Sequence, residues 1–144
     1  MTIYLDNCSF NRPFDDQSQP RVRLEAEAKL WLQESVRRGA VGLAWSYILD
    51  YENEANPFDE RRTTIAKWKR YARVDVEESP QVLRTAGALE NIGLKAKDAL
   101  HLACAIAAGC DYFVTTDDRL LKRDADVPGV RVVDPTALMR EGSL

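Results

Sequence analysis

The sequence has no apolar run that approaches the ~20 residues needed to cross a bilayer. Its N-terminus, MTIYLDNCSF, carries an acid where a secretory signal carries positive charge, so no targeting segment is expected. Histidine occurs once, and the three cysteines, Cys8, Cys104 and Cys110, lack the close spacing of a zinc site. These absences favour a cytoplasmic protein with reduced thiols.

Positive charge is not in excess either, since the formal net charge of the 144 residues is −3 at pH 7. This charge argues against a protein coated in positive charge for unspecific binding to DNA. It does not exclude a nucleic-acid partner, because a local basic surface is enough to bind nucleic acid. The negative charge of an acidic pocket can offset that basic surface in the net charge of the protein. A glycine-rich phosphate loop after a strand is missing, which disfavours nucleotide-binding enzymes.

Helix and strand patterns alternate along the chain without a linker, repeat or charge block, so residues 1–144 are predicted to form one domain. Strands are predicted at residues 2–5, 41–45, 71–76, 111–115 and 130–133. Helices are predicted at residues 20–38, 47–56, 59–70, 80–92 and 97–108, with short ones after Asp117 and from Pro135. Residues 7–19 are predicted to form a loop. This alternation predicts an α/β fold with a parallel sheet covered on both faces.

Two acids follow predicted strands directly. Asp6 comes after TIYL and Asp117 comes after YFVTT. In an open parallel sheet, ligands bind just beyond the carboxyl ends of the strands. Such an acid is also a common helix N-cap, which is how we interpret Asp134 before Pro135. For Asp6 alone, the binding and capping interpretations carry equal weight.

A third acid, Glu52, is indicated by the face of its predicted helix. In SYILDYENEAN, Glu52 shares one side with Ile48, Tyr51 and Ala55 at spacings of three and four, whereas Asp50, Asn53 and Glu54 point elsewhere. A carboxylate on an apolar stripe needs a cation, a partner or a raised pKa, since an unpaired buried charge costs several kcal/mol. A salt bridge to an arginine is the alternative.

A fourth acid, Asp98, opens the almost wholly apolar helix DALHLACAIAAG. Its structural interpretation is a favourable place at a helix N-terminus, worth ~0.3–1 kcal/mol. Because the helix is predicted to be buried, its first turn is expected near the strand ends. Four massed carboxylates repel one another unless a cation neutralises them. Oxygen ligands select Mg²⁺ or Mn²⁺, ions that support phosphodiester hydrolysis, so the chemistry points to phosphoryl transfer.

Three segments carry a family resemblance: IYLDNCSFNRPF, SYILDYENEAN and KAKDALHLACAIAAGCDYFVTTDDRLL. The last is the most specific, with an acid-led apolar helix, a glycine and a D-Y-F-V-T-x-D strand end. In these segments the chain resembles PIN-domain ribonucleases, the family that includes the VapC-type toxins of bacterial toxin–antitoxin pairs. The resemblance spans nearly the whole chain. It implies a three-layer α/β/α sandwich and an endoribonuclease that needs Mg²⁺ or Mn²⁺ and acts on single-stranded RNA.

The resemblance also implies roles for individual residues and for partners. The catalytic, metal-binding acids of the family fall on Asp6, Glu52, Asp98 and Asp117. Asp118 is an auxiliary acid, Thr115 or Thr116 helps to place the water, and Asn7 orients Asp6. Toxins that resemble this chain commonly form homodimers, and an antitoxin silences them by placing a basic side chain in the acidic pocket.

Several other residues have both a functional and a structural interpretation. His101 lies three residues after Asp98 and is either a metal ligand or, more commonly, a hydrogen-bonded core residue. Arg119 and Lys122 follow Asp117, and we favour them, with Arg123, for substrate contact. A second group of cations makes one helix basic and is either a solvated face or a guide for a phosphate backbone: Arg61, Arg62, Lys67, Lys69 and Arg70. The three tryptophans are predicted to be core residues.

Two other functions compete with ribonuclease activity. A phosphoacceptor signalling domain also gathers acids around Mg²⁺ at strand ends, but it needs an aspartate after a central strand and a lysine after a late one. The segments VDVEE and VRVVDP supply no such pair. A PIN fold that has lost catalysis and serves as a binding module is the other rival. The presence of all four acids counts against it.

Overall fold

Five short strands form one parallel sheet in the computed structural model, which describes residues 1–141. Their order across the sheet is β3-β2-β1-β4-β5, and every neighbouring pair is parallel. The strands are β1 (Thr2–Leu5), β2 (Gly42–Ser46), β3 (Ala72–Val76), β4 (Tyr112–Val114) and β5 (Arg131–Val133). The predicted parallel α/β architecture is confirmed, and each predicted strand is found within two residues of its predicted bounds.

Eight α-helices connect and cover these strands. They are α1 (Asn7–Asn11), α2 (Pro20–Arg37), α3 (Tyr47–Glu54), α4 (Asp59–Lys67), α5 (Pro80–Asn91), α6 (Ala96–Ala107), α7 (Asp118–Leu121) and α8 (Pro135–Arg140). Helix α2 packs against α8, and α5 packs against α6, around the central sheet. Within residues 1–141, no helix has the length and apolar character that a bilayer crossing requires.

The helix boundaries follow from local chemistry that the sequence displays. Ser46, Ser79 and Asp134 accept hydrogen bonds from backbone N–H groups of α3, α5 and α8 and so act as their N-caps, which confirms the prediction made for Asp134. Gly39 and Gly109 follow α2 and α6 with φ values of +80° and +70°. Such left-handed positions favour glycine, which ends a helix without the steric cost of a side chain.

The centre of the sheet carries the site. Strand β1 lies between β2 and β4, and Leu5 pairs with Val114 at the carboxyl ends of β1 and β4. The Asp6 backbone N–H donates to the Val114 carbonyl over 2.9 Å, which extends the pairing by one residue. Asp6 is therefore held at the carboxyl end of the central strand β1, beside the segment that leads from β4 to Asp117.

The predicted loop at residues 7–19 is wrong in its first half. Residues 7–11 form helix α1, and a 3-10 turn follows at Arg12–Phe14. Asp6 is the N-cap of α1, and its Oδ1 accepts from the Asn7 N–H over 2.8 Å. Pro13 has no backbone N–H, so the α-helical hydrogen bonding of α1 cannot continue through it. Buried Phe10 packs in the core and gives this short helix its tertiary support.

The predicted apolar face of α3 is only partly right. Ile48 is buried and Glu52 is mostly buried beside it, but Tyr51 is 65% exposed and Ala55 is also exposed. Leu49 and Asn53 fill the buried face instead. The buried stripe therefore runs through Leu49 and Asn53, and Asn53 is accommodated because its amide donates to the Arg62 carbonyl.

Candidate functional site

Asp6 is the most constrained acid at the sheet edge. Its carboxylate is largely buried, with the whole residue 8% exposed. While Oδ1 caps α1, Oδ2 accepts from the Thr115 hydroxyl over 2.9 Å and from the Cys8 thiol over 3.3 Å. Helix capping and a place in the site are therefore compatible for this residue, because its two oxygens have separate partners.

The Thr115 hydroxyl joins the ends of β1 and β4. It donates to Asp6 and accepts from the Asp117 backbone N–H over 3.1 Å. Asp117 itself caps α7, with its Oδ1 accepting from the Arg119 N–H over 2.9 Å. Asp6 and Asp117 are thus positioned relative to one another by a single, fully buried threonine.

Asp98 reaches the same edge from the first turn of α6. Burial raises the pKa of Asp98, and the negative charges of Asp6 and Asp117 raise it further. His101 and Arg119 act in the opposite direction without cancelling the effect. Carboxylates at the ends of β1 and β4 therefore act electrostatically on Asp98 at the start of α6.

Glu52 is held by a buried hydrogen-bond chain. The His101 Nε2–H donates to Glu52 Oε1 over 2.6 Å, and His101 Nδ1 lies 2.6 Å from the Tyr4 hydroxyl. The Tyr4 hydroxyl lies 2.6 Å from the Ser46 hydroxyl, and Ser46 in turn caps α3, the helix that carries Glu52. The chain therefore links β1, β2, α3 and α6 and fixes the direction of the Glu52 side chain.

The pKa values of Glu52 and His101 indicate an ion pair. Burial raises the pKa of Glu52, but the hydrogen bond and charge of His101 outweigh it, helped by Lys97 and Asn7, so the pKa falls below its usual value. Burial lowers the pKa of His101, yet the Glu52 hydrogen bond and nearby Asp6 raise it overall. Each group thus favours the charged form of the other. The hydrogen-bonded core interpretation of His101 matches this geometry.

Three of the residues predicted to contact substrate line two clefts, whereas Thr116 lines neither. One cleft, with a volume of about 330 Å³, includes Asp98, Arg119 and Lys122. The other, also about 330 Å³, includes Asn7 and Glu52. Asp98 therefore lines a basic cleft at α7, and Glu52 lines a second cleft beside α3.

Two predicted site residues have other contacts. Both oxygens of Asp118 accept from the Arg21 guanidinium of α2, over 2.6 and 2.9 Å, and this pair is exposed. Thr116 is only 5% exposed, and it is its neighbour Thr115 that contacts Asp6. The Asp118 contact joins residues 97 positions apart, so no local pattern in the sequence indicates it.

A divalent cation suits the chemistry of these acids. Among residues 1–141, no group of three or more His, Cys, Asp or Glu side chains is arranged so that it could hold a metal ion. The pKa of Asp98 is nevertheless raised by burial and by the like charges of Asp6 and Asp117, which a cation would neutralise, and carboxylate oxygens are the ligands that Mg²⁺ prefers. The donor set fits Mg²⁺ or Mn²⁺, whereas Cys8 is a poor ligand because burial and Asp6 raise its pKa to about 12.

Sequence reasoning missed the supporting residues of the site. Tyr4, in a predicted strand, and Ser46, just before a predicted helix, both belong to the chain of hydrogen bonds that reaches Glu52. The available signal is polarity, since each is a hydroxyl residue next to buried strand residues. Cys104 and Cys110 are buried.

The chain is similar in sequence or in fold to known proteins. The sequence matches the PIN domain family over residues 3–126. No curated protein matches the sequence at a significant level. The fold resembles VapBC-1 from nontypeable Haemophilus influenzae with a TM-score of 0.60 at 14% identity, covering 94% of this chain and 99% of that chain.

Two further solved structures have a similar fold. VapBC2 from Rickettsia felis, bound to a DNA fragment from their promoter, gives a TM-score of 0.56 at 16% identity, covering 92% of this chain and 97% of that chain. DNA-bound VapBC from Salmonella typhimurium gives 0.53 at 19% identity, with 94% and 98% covered. The α/β/α sandwich is thereby confirmed, and since the sequence match spans most of its length, the chain belongs to the PIN domain family.

Proposed function

We propose that this protein is an endoribonuclease that depends on Mg²⁺ or Mn²⁺ held by Asp6, Glu52, Asp98 and Asp117. The observation that carries the proposal is the gathering of acids at the carboxyl ends of β1 and β4, where Thr115 joins Asp6 to the Asp117 backbone. Burial, followed by the charges of Asp6 and Asp117, raises the pKa of half-buried Asp98. Repulsion between acids costs the fold free energy, so a ligand that needs them explains why they lie together. Asp118 is left out because Arg21 occupies both of its oxygens.

The side chains of the site have different roles in the proposed reaction. A divalent ion held there would activate a water and neutralise charge on the phosphodiester, so no protein nucleophile is needed. Thr115 keeps Asp6 in place, and His101 keeps Glu52 in place. Arg119 and Lys122, beside Asp98, offer positive charge to the phosphate backbone of an RNA strand.

Cleavage of RNA by the purified protein tests this proposal. Labelled single-stranded and structured RNAs are incubated with the wild type in Mg²⁺, in Mn²⁺ and in EDTA, and the products are separated on a gel. We expect cleavage of single-stranded RNA with either ion and none in EDTA. Asp98→Asn should be inactive, whereas Glu54→Gln, an exposed neighbour on α3, should cleave like the wild type. A wild type that binds RNA but never cleaves it would support a binding module instead.

We also propose that the protein forms a homodimer and is silenced by a small antitoxin-like partner. The support is its PIN fold and its likeness to chains of VapBC structures. Light scattering should give twice the 16.3 kDa mass of the chain. A small protein encoded beside this gene should co-purify with it and suppress cleavage. A monomer without such a neighbouring gene would contradict both parts.

A further inference from the structure

A cleft of about 330 Å³ lies beside Glu52, between α1, the end of α3, the start of α4 and the first turn of α6. We call it the α3 cleft. Residues of two chemical kinds line it, aromatic rings and polar or cationic side chains. Those that matter here are Asn7, Tyr51, Glu52, Phe58, Arg61 and Lys97. Because it contains Glu52, the α3 cleft adjoins the proposed metal site.

Two aromatic rings are presented to solvent at the α3 cleft. Tyr51 is 65% exposed and Phe58 is 55% exposed. The Arg61 guanidinium covers the Phe58 ring at 4.4 Å and is fixed by the Phe14 carbonyl and by Asp15. Two exposed rings that line one cleft offer flat apolar surfaces on which a ligand can pack. Arg61 holds the Phe58 ring in place, and the Tyr51 ring is largely exposed to solvent.

The polar groups of the α3 cleft are not all used by the protein. Asn7 Oδ1 is shielded from solvent and has no hydrogen-bond partner within residues 1–141. Lys97 forms no ion pair within 4 Å in the same part of the chain, although its charge lowers the pKa of Glu52. An unpartnered acceptor and an unpaired ammonium thus lie beside the two exposed rings.

We propose, on the basis of the ribonuclease function proposed above, that the α3 cleft binds the base of a nucleotide next to the scissile phosphate. Tyr51 stacks on the base, and Lys97 contacts the flanking phosphate. A base is neutral, so it meets the Glu52 carboxylate without the repulsion that an acidic peptide would suffer. The α3 cleft therefore sets the base preference of the cut.

Binding of short labelled RNAs, followed by fluorescence anisotropy with and without Mg²⁺, tests this role separately from cleavage. Tyr51→Ala should weaken binding roughly tenfold, since stacking on an aromatic ring is worth about 1–3 kcal/mol per base. Tyr51→Phe keeps the ring and should bind like the wild type. Leu83→Ala removes an exposed apolar side chain of α5 and should also change nothing.

Abasic RNAs make the assignment specific. In a series of RNAs that each lack one base, wild-type binding should weaken when the base is missing at one particular position. That loss should be absent in Tyr51→Ala, because both changes remove the same contact. Where cleavage occurs, Tyr51→Ala should also lose base preference at the cut. RNA that binds through Tyr51 without being cleaved supports the α3 cleft and refutes the nuclease. If substitution of Tyr51 and Phe58 leaves RNA binding unchanged, or if the protein binds no RNA, the proposed role of the α3 cleft is wrong.

Discussion

Asp98 and Glu52 both act electrostatically on His101, but their surroundings shift their own pKa values in opposite directions. Burial and the charges of Asp6 and Asp117 raise the pKa of Asp98, so its ionised form is disfavoured. His101 lowers the pKa of Glu52 below its usual value in spite of burial, so its ionised form is favoured. Removal of the two charges should therefore have opposite effects on the folded state.

Asp98→Asn should leave the metal-free protein as stable as the wild type or slightly more stable. The substitution removes a source of repulsion, and the gain should stay below about 1 kcal/mol because water screens this half-exposed group. Thermal unfolding in EDTA measures the difference. A clear loss of stability would mean that Asp98 is a structural residue rather than one retained for a ligand.

Glu52→Gln should destabilise the metal-free protein by about 1–3 kcal/mol, since the charge-assisted bond to buried His101 is replaced by a neutral one. Denaturant unfolding at neutral pH measures the cost. Glu54→Gln on the exposed side of α3 is the matched control. Asp50, which the sequence placed on the same exposed side, is not a control because it accepts from the Trp45 indole and from Lys69. Equal stability of Glu52→Gln and the wild type would contradict the ion pair.

Residue chemistry near a strand end could be predicted from the sequence, but partners across the fold could not. The sequence identified Asp6 and Asp117 because Asp6 directly follows β1 and Asp117 lies three residues after the end of β4. It identified Glu52 as a buried acid, although Tyr51 and Ala55 proved to lie outside the buried face. The partner of Glu52 is His101, 49 positions away, and only the folded chain brings the two together.

At the scale of elements, helix α2 carries an unusual buried polar stripe. Glu25, Lys29 and Gln33 recur every four residues and are each 3% exposed. Glu25 lies near Arg12 and Arg21, but within residues 1–141 Lys29 has no carboxylate partner. Its Nζ lies 3.5 Å from the Phe10 carbonyl and 5.1 Å from the centre of the Phe10 ring. Burial lowers the pKa of Lys29 from 10.5 to about 7. The proton that Lys29 binds readily in the unfolded chain is thus held poorly in the fold.

Lys29→Met should raise stability at neutral pH and flatten its pH dependence. Between pH 7 and 10.5 the unfolded chain binds a proton at Lys29 that the folded chain does not, so wild-type stability rises with pH by up to about 1.4 kcal/mol per unit. Below that window both states are protonated and the cost is constant. Denaturant unfolding from pH 6 to 10 measures the slope. Lys67→Met, an exposed site on α4, serves as the control. A wild type without the slope would contradict a buried, largely neutral Lys29.

The elements themselves were largely predictable because their signals are local. Apolar runs, capping side chains such as Ser79 and helix-ending glycines such as Gly109 all lie within a few residues of the boundary that they set. Helix α1 was missed because its five residues carry no periodic stripe and Pro13 follows closely. It is stabilised by tertiary contact through Phe10, which no local pattern reports.

At the scale of the whole molecule, strand order assembles the site from distant parts of the chain. Because β1 lies between β2 and β4, the ends of β1 and β4 bring Asp6 and Asp117 together around Thr115. Helix α6 adds Asp98 from the side. The proposed function therefore depends on whether these carboxylates, which act on one another in the fold, bind a divalent ion together.

Binding of Mn²⁺ measured by electron paramagnetic resonance tests this point most directly, because free Mn²⁺ gives a signal that is lost on binding and no RNA is needed. The wild type should bind Mn²⁺, and added Mg²⁺ should displace it. The thermal unfolding temperature of the wild type should rise with metal concentration. Asp98→Asn should lose at least about tenfold in affinity, whereas Glu54→Gln should match the wild type. Wild-type protein that leaves the Mn²⁺ signal unchanged, or Asp98→Asn that binds equally well, would contradict the metal site.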